Sequence, residues 1–217
     1  MSSNYIPALK YSWLTRFYDP VVALTTREYT FRQKLLEQGN FYSGSQVLDL
    51  ACGTGTFVAM IKAGHPEVTV SGLDGDPDIL EIARKKARVN GVDVTFDEGM
   101  SFALPYETEE FDVVFSSLFF HHLKSDDKRR TLEEVLRVLK PGGAFHVCDW
   151  GRPTSLYTKL MFNAVRLLDG FDVTKDNVDG RLKLFIEEAG FYDVVVGGHM
   201  GTVLGTLDLI SAKKSLY

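Results

Sequence analysis

The stretch VLDLACGTGTF, residues 47–57, places an acid inside an apolar run and follows it with two glycines. Apolar residues on both sides of Asp49 are typical of a buried strand. Gly53 and Gly55 allow a tight turn and a close approach of the backbone to a ligand. A helix that begins near Gly55 would present unpaired N–H groups to that ligand. The stretch therefore predicts a strand, a ligand-binding loop and a helix.

Outward from this unit, strand and helix patterns alternate along most of the chain. Further strands are predicted at 68–74, 92–99, 111–118 and 144–150, with a final strand pair at 192–199 and 202–214. Helices are predicted at 55–63, 77–91, 128–143, 154–168 and 180–190, and residues 170–180 are predicted to form a mobile loop. Residues 8–38 predict two helices separated at Pro20, the second ending at Gly39. This alternation predicts a parallel, doubly wound α/β sheet.

Composition excludes several classes of protein. The net charge is -5 and no run of Lys or Arg occurs, so nucleic acid is not an expected partner. Cys52 and Cys148 form neither a disulfide framework nor a metal-binding cluster, and no metal is expected. No apolar stretch is long enough to span a bilayer, and the N-terminus lacks the pattern of a signal peptide. A cytoplasmic protein that acts on a small molecule is therefore expected.

Two nucleotide cofactors suit a glycine-bearing loop of this kind. A dinucleotide fingerprint needs a third glycine, and Val58 stands at that position. S-adenosylmethionine has no phosphate, but it carries an amino group, a carboxylate, a ribose diol and a sulfonium. Asp49 can meet the amino group directly or through water, and Asp74, at the end of the next predicted strand, can accept both ribose hydroxyls. The pattern favours S-adenosylmethionine over a dinucleotide.

From residue 43 to 217 the sequence resembles a class I S-adenosylmethionine-dependent methyltransferase, in the branch with the ubiquinone/menaquinone-biosynthesis enzymes. The motifs that carry the resemblance are VLDLACGTG, GLDGDPDILEIARKKA, GMSFALPYETEEFDVVFSSLFFHHL, LRVLKPGGAFHVCD and EEAGFYDVVV. The resemblance implies a Rossmann-like sheet of seven strands, mostly parallel with an antiparallel C-terminal strand. It also implies a methyltransferase core over residues 43–217 and an N-terminal helical cap over residues 1–42.

The resemblance also implies a set of cofactor-binding residues. They are Asp49, Ala51, Cys52, Gly53, Gly55, Asp74, Gly75, Met100, Ser101, Ser117 and Leu118. Two of them depart from the family pattern. Met100 replaces an aspartate that meets the adenine amino group, so adenine is expected to meet a backbone carbonyl or the Ser101 hydroxyl. Gly75 replaces a bulky apolar residue that stacks on adenine, and both changes predict weaker cofactor binding.

Candidate catalytic residues are His121, His122 and Tyr18. Either histidine can act as a base near pH 7, and Tyr18 resembles a family tyrosine that closes over the cofactor. Methyl transfer is an in-line displacement that needs mainly alignment, so no catalytic triad is required. Aromatic and Met side chains in the N-terminal segment and after the fifth strand predict an apolar or aromatic acceptor. They are Tyr11, Trp13, Phe17, Trp150, Tyr157, Met161, Phe162 and Phe171. A binding module without turnover and an NAD-dependent oxidoreductase are the alternatives.

Overall fold

The computed structural model describes residues 26–216, with the side chains of three α5 residues left undescribed. The strands are β1 (Gln46–Leu50), β2 (Thr69–Asp74), β3 (Thr95–Glu98), β4 (Phe111–Ser117), β5 (Leu139–Trp150), β6 (Tyr192–Gly201) and β7 (Thr206–Lys213). The helices are α1 (Glu28–Gln38), α2 (Thr56–Gly64), α3 (Pro77–Asn90), α4 (Ser125–Val138), α5 (Leu156–Asp169), α6 (Phe171–Val178) and α7 (Leu182–Glu188). One turn of 3-10 helix, Phe120–His122, follows β4.

The strands form one sheet in the order β3-β2-β1-β4-β5-β7-β6. β1 to β5 are parallel to one another, and β7 runs antiparallel to both β5 and β6. The predicted doubly wound sheet of seven strands with an antiparallel C-terminal strand is confirmed. The strand order reverses between β1 and β4, and in sheets of this kind ligands bind at the carboxyl ends of the strands beside that point.

Apolar side chains cover both faces of the sheet. Val47 of β1 packs in one buried cluster with Phe31 of α1, whereas the next residue, Leu48, packs in a second cluster with Leu132 of α4. This alternation explains why β1 and β4 are apolar almost without interruption, because each side of a parallel strand meets a helix. Asp49 is an exception within this core.

Helix ends follow local capping chemistry. The Asp76 side chain accepts hydrogen bonds from the N–H groups of Asp78 and Ile79 at the start of α3. Pro77 suits the first helical position because it has no N–H group that would need an acceptor there. Gly91 ends the same helix with a φ of 63°. The predicted second N-terminal helix is confirmed as α1, which ends at Gly39 as expected.

Two sequence expectations were wrong. The helix predicted to run into Pro141 ends at Val138, because the N–H groups of Glu109 and Glu110 bond to the carbonyls of Arg137 and Val138 and draw the chain into β5. The predicted mobile loop at 170–180 contains α6. Its polar residues are buried anchors: Asp176 contacts Lys128 and Asn177 donates to the Trp150 carbonyl.

Most of the N-terminal segment lies outside the residues that the structure describes. The first predicted helix and Pro20 fall among residues 1–25, which the structure does not describe. Phe31 and Leu35 of α1 are fully buried in the core, and the division of the chain at residue 42 stays a prediction. Across residues 26–216 no helix combines the length and apolar character needed to cross a bilayer.

Candidate functional site

The loop after β1 is held in an unusual backbone conformation. Ala51, Gly53 and Gly55 have φ values of 59°, 54° and 73°, a region that costs energy for a residue with a Cβ. A Cβ on Gly55 would lie 3.0 Å from Ala83 Cβ, so this glycine lets the loop pack on α3. A Cβ on Gly53 would meet no described atom within 4 Å. Gly55 is therefore needed for packing, and Gly53 borders space that a ligand can fill.

Asp74 fixes this loop at the end of β2. Its Oδ2 accepts the Gly53 N–H at 2.9 Å, and its Oδ1 accepts the Asp76 N–H at 3.0 Å. The Cys52 N–H donates to the Leu73 carbonyl beside it. Burial raises the pKa of Asp74, and the backbone N–H groups of Gly53, Asp76 and Gly75 counter that rise. Each carboxylate oxygen keeps a further lone pair, so Asp74 can accept a diol while it holds the loop.

Asp49 places a carboxyl group inside the core. Its side chain is 1% exposed, and neither oxygen has a hydrogen-bond partner among the residues that the structure describes. Burial raises the pKa of Asp49 to about 7, the guanidinium of Arg32 opposes that rise, and Asp74 adds to it. A buried, unpaired carboxylate is costly, and a cationic ligand group at this point would remove the cost. The amino group of an amino acid fits that requirement.

A second polar centre lies at the ends of β4 and β5. The chain turns after β4 at Leu118, which has a φ of 52° and donates its N–H to the Cys148 carbonyl. The 3-10 turn then brings His121 to Asp149, with 2.6 Å between Nδ1 and Oδ1. Both side chains are almost completely buried. Asp149 also accepts the N–H groups of Phe119 and His121, which fixes the turn to β5.

The two predicted histidines have different surroundings. A carboxylate on Nδ1 of His121 keeps the proton there in the neutral ring, so Nε2 is the basic nitrogen. His122 lies beside it, with ring centroids 4.0 Å apart. Burial, with help from His121 and Lys128, holds the pKa of His122 well below its usual range. Of the two, only His121 is recorded with a carboxylate on its ring in the described residues. Its partner Asp149 was missed in the sequence, although it lies one residue before the end of the predicted fifth strand.

The remaining predicted residues lie around the same sheet edge. Ser117 ends β4, and Gly75 lies between Asp74 and Asp76. The Met100 carbonyl accepts the Ala103 N–H, and the Ser101 hydroxyl is 2.8 Å from that of Thr131. The Ser101 hydroxyl is thus already engaged by α4.

Two other positions bear on the predicted site. Tyr18 lies outside the described residues. Val58, at the third position of a dinucleotide fingerprint, is a fully buried core residue.

The sequence compares directly with known proteins. Residues 47–143 match the family model of a methyltransferase domain. An uncharacterized methyltransferase from Synechocystis is 30% identical over 210 residues, which span 95% of this chain and 93% of that protein. This chain belongs to the S-adenosylmethionine-dependent methyltransferases.

A further relative and a solved structure support the same family and fold. A demethylmenaquinone methyltransferase from Lactobacillus johnsonii is 30% identical over 192 residues, or 76% of this chain and 75% of that protein. The crystal structure of a SAM-dependent methyltransferase from Methanosarcina mazei superposes with a TM-score of 0.68 at 19% identity, covering 82% of this chain and 95% of that one. The structural superposition shows that the two proteins share a fold. S-adenosylmethionine is the cofactor of the methyltransferase.

The Asp49 oxygens, which have no hydrogen-bond partner in the described residues, fit the amino group of this cofactor. The space at Gly53 allows the cofactor to lie close to the backbone, and the Asp74 carboxylate fits its ribose hydroxyls. Replacing Asp74 with Ala should therefore weaken binding of S-adenosylhomocysteine more than about tenfold, because hydrogen bonds to a charged acceptor are worth roughly 1.5–3 kcal/mol. Calorimetric titration measures this change. Asp78→Ala removes the same charge from an exposed position of α3 and should leave affinity unchanged. Equal affinity in the two variants would remove Asp74 from the site.

Proposed function

We propose that this methyltransferase transfers a methyl group to a small aromatic acceptor with an ionisable hydroxyl, of the hydroquinone class, and that His121 is its base. The observation that carries the proposal is the buried contact between His121 Nδ1 and Asp149 Oδ1 at 2.6 Å, at the cofactor edge of the sheet. The demethylmenaquinone methyltransferases among its relatives support an aromatic acceptor of this type.

The bound cofactor supplies an electrophilic methyl group on a sulfonium leaving group. His121 Nε2 removes the hydroxyl proton of the acceptor, which raises the electron density of the oxygen and of the ring carbons beside it. Asp149 holds the imidazole in the required tautomer and stabilises the imidazolium that forms. The burial of both groups strengthens this pairing, because water does not screen it.

Alignment of acceptor and cofactor is the second contribution of the chain. Asp49 would bind the amino group and Asp74 the ribose, while the loop at Ala51, Cys52, Gly53 and Gly55 would lie along the nucleoside. Ser117 and Leu118 would contact the methionine part, between the cofactor loop and His121. The in-line displacement needs no nucleophile from the protein, so two fixed acids and one base are sufficient.

The acceptor should meet apolar walls at the end of β5 and along α5 and α6. Trp150 and Phe162 are buried and pack against each other with ring centroids 5.1 Å apart, so they support this wall rather than face solvent. Tyr157 and Phe171 are about half exposed and are available to a ligand. The predicted lining at Tyr11, Trp13 and Phe17 lies outside the described residues.

Transfer of an isotopically labelled methyl group tests the proposal. The purified protein would be incubated with labelled S-adenosylmethionine and matched pairs of acceptors, a hydroquinone and its oxidised quinone, with detection by mass spectrometry. We expect transfer to the hydroquinone and none to the quinone, which has no proton for His121 to remove. Equal transfer to both members, or transfer only to aliphatic amines, would contradict the proposed acceptor class and leave the family assignment intact.

A further inference from the structure

A second histidine–aspartate pair lies beside the first in the sheet. His199 of β6 and Asp208 of β7 are direct cross-strand partners, with 2.6 Å between Nδ1 and Oδ1. The Asp208 side chain is 14% exposed, whereas that of His199 is 56% exposed. The imidazole therefore reaches solvent from a carboxylate that lies largely inside the protein. The cofactor site and the proposed acceptor site use neither residue.

The antiparallel register of β5 and β7 brings the two pairs together. Asp149 lies directly opposite Asp208, and side chains of opposed residues project from the same face with Cβ atoms about 4.5–5.5 Å apart. Packing agrees with this register, because a Cβ added to Gly151, just beyond β5, would clash with the Asp208 carboxylate. The Asp208 carboxylate therefore packs over the end of β5, beside Asp149.

Opposed carboxylates repel each other, so each of them needs compensation. Asp149 accepts hydrogen bonds from the His121 ring and from three backbone N–H groups. Burial raises the pKa of Asp208 and the charge of Asp149 adds to that rise, whereas the His199 ring opposes it. One line of side chains, His121–Asp149–Asp208–His199, thus connects the proposed base inside the protein with a histidine at its surface.

We propose that Asp208 and His199 tune the basicity of His121 through Asp149. The negative charge of Asp208 favours the imidazolium form of His121, which makes the base stronger. Protonation of His199 at acid pH offsets that charge, so the exposed ring links the buried one to the pH of the solvent. Both act through Asp149 and are positioning residues. The kinetic effect rests on the proposed function of His121, whereas the charge coupling does not.

Other charged and titratable groups face the same line of side chains. Around the buried pair they are His122 of the same turn, Lys128 of α4, Asp176 of α6, Arg181 and the Cys148 thiol, and beside His199 they are Lys34 and Glu37 of α1. All of them remain in place when only Asp208 or His199 is changed. A difference between the variants and the wild-type protein therefore belongs to the altered charge.

NMR titration of the histidine rings, without an acceptor, tests the coupling. The His121 signal is assigned through its loss in His121→Asn. We expect Asp208→Asn to lower the midpoint of the His121 titration by at least about half a pH unit. His199→Gln should raise it by less, because glutamine can donate to Asp208 but carries no positive charge. Asp193→Asn is the matched control: it removes an acid that joins β6 to β7 through Lys213 at the far end of these strands, and it should leave the midpoint unchanged.

Opposite shifts in the two variants support the proposal, because a general loss of structure does not move the midpoint in opposite directions. An unchanged midpoint in Asp208→Asn, or shifts of the same sign in both variants, would overturn it. If Asp208→Asn does not fold, the surface variant His199→Gln decides, and the absence of an upward shift would then overturn the proposal.

The pH dependence of kcat separates this inference from the proposed function. It is measured at saturating cofactor, so that the ionisation of Asp49 in cofactor binding does not contribute. We expect the acid limb of the profile for a hydroquinone acceptor to move with the NMR midpoint of His121. A midpoint that moves while the acid limb stays in place would support the coupling and contradict His121 as the base.

Discussion

His121→Asn should lower kcat for a hydroquinone acceptor by about 10²–10⁴ and leave cofactor affinity within about twofold. The asparagine amide can take the place of the Nδ1–H that contacts Asp149 Oδ1, so the turn after β4 keeps its anchor. What the variant lacks is the second ring nitrogen, which is the proposed base. Steady-state kinetics of methyl transfer, combined with calorimetric titration of S-adenosylhomocysteine, separates the two quantities.

His122→Asn is the matched control because the two rings are neighbours. The pKa of His122 is held low by burial, so its replacement should change kcat less than about fivefold. The acceptor provides a second control. For a nitro-substituted phenol that is already ionised at neutral pH, the loss in His121→Asn should shrink towards that of His122→Asn. A loss that does not depend on the acidity of the acceptor would show that His121 positions the substrate and is not its base.

Local sequence signals were sufficient for the fold and for the cofactor loop. Apolar patterns, alternating in several strands and continuous in β4, located every strand, and Asp49, Gly53 and Asp74 stand where one β-α-β unit needs them. Such signals depend on residues that are close in sequence. The pair of His121 and Asp149 joins positions 28 residues apart through the parallel pairing of β4 with β5, and no periodicity encodes that contact.

The errors have the same physical origin. Residues 170–180 are rich in Asp, Asn and Gly, which favour loops in isolation, but Asp176 and Asn177 are buried and bonded in the structure. Tertiary hydrogen bonds thus override the local preference. The burial of Arg32 was missed for a similar reason, because a charged residue on a helix normally faces solvent and its burial depends on the sheet beneath.

Asp49→Asn should stabilise the protein without cofactor at pH 8 and weaken its binding of the cofactor. Burial raises the folded-state pKa of Asp49 from 3.8 to about 7, although the positive charge of Arg32 lowers it. Between these two values the folded protein binds more protons than the unfolded chain, so its stability falls as pH rises. The penalty is complete above about pH 8 and amounts to roughly 4 kcal/mol. Asparagine has no charge to desolvate and removes the penalty.

Thermal unfolding at two pH values measures this effect. At pH 8 the unliganded variant should melt about 8–16 °C above the wild-type protein, and near pH 4 the difference should disappear because wild-type Asp49 is then protonated when folded. A variant that melts below the wild type at pH 8 would mean that Arg32 already compensates the carboxylate in the free protein. The stabilised variant should nevertheless bind S-adenosylhomocysteine more than about tenfold more weakly.

The pH dependence of cofactor binding gives the same group a second, independent measurement. Only ionised Asp49 can pair with the ligand ammonium, so the affinity of the wild-type protein should fall up to roughly tenfold for each pH unit below the folded-state pKa. Arg32 and Asp74, the charged groups that act on Asp49, remain in Asp49→Asn. A pH slope that persists in this variant would therefore belong to another group, whereas a slope that vanishes assigns the released proton to Asp49. The same buried charge that destabilises the protein without cofactor then accounts for its affinity for the cofactor.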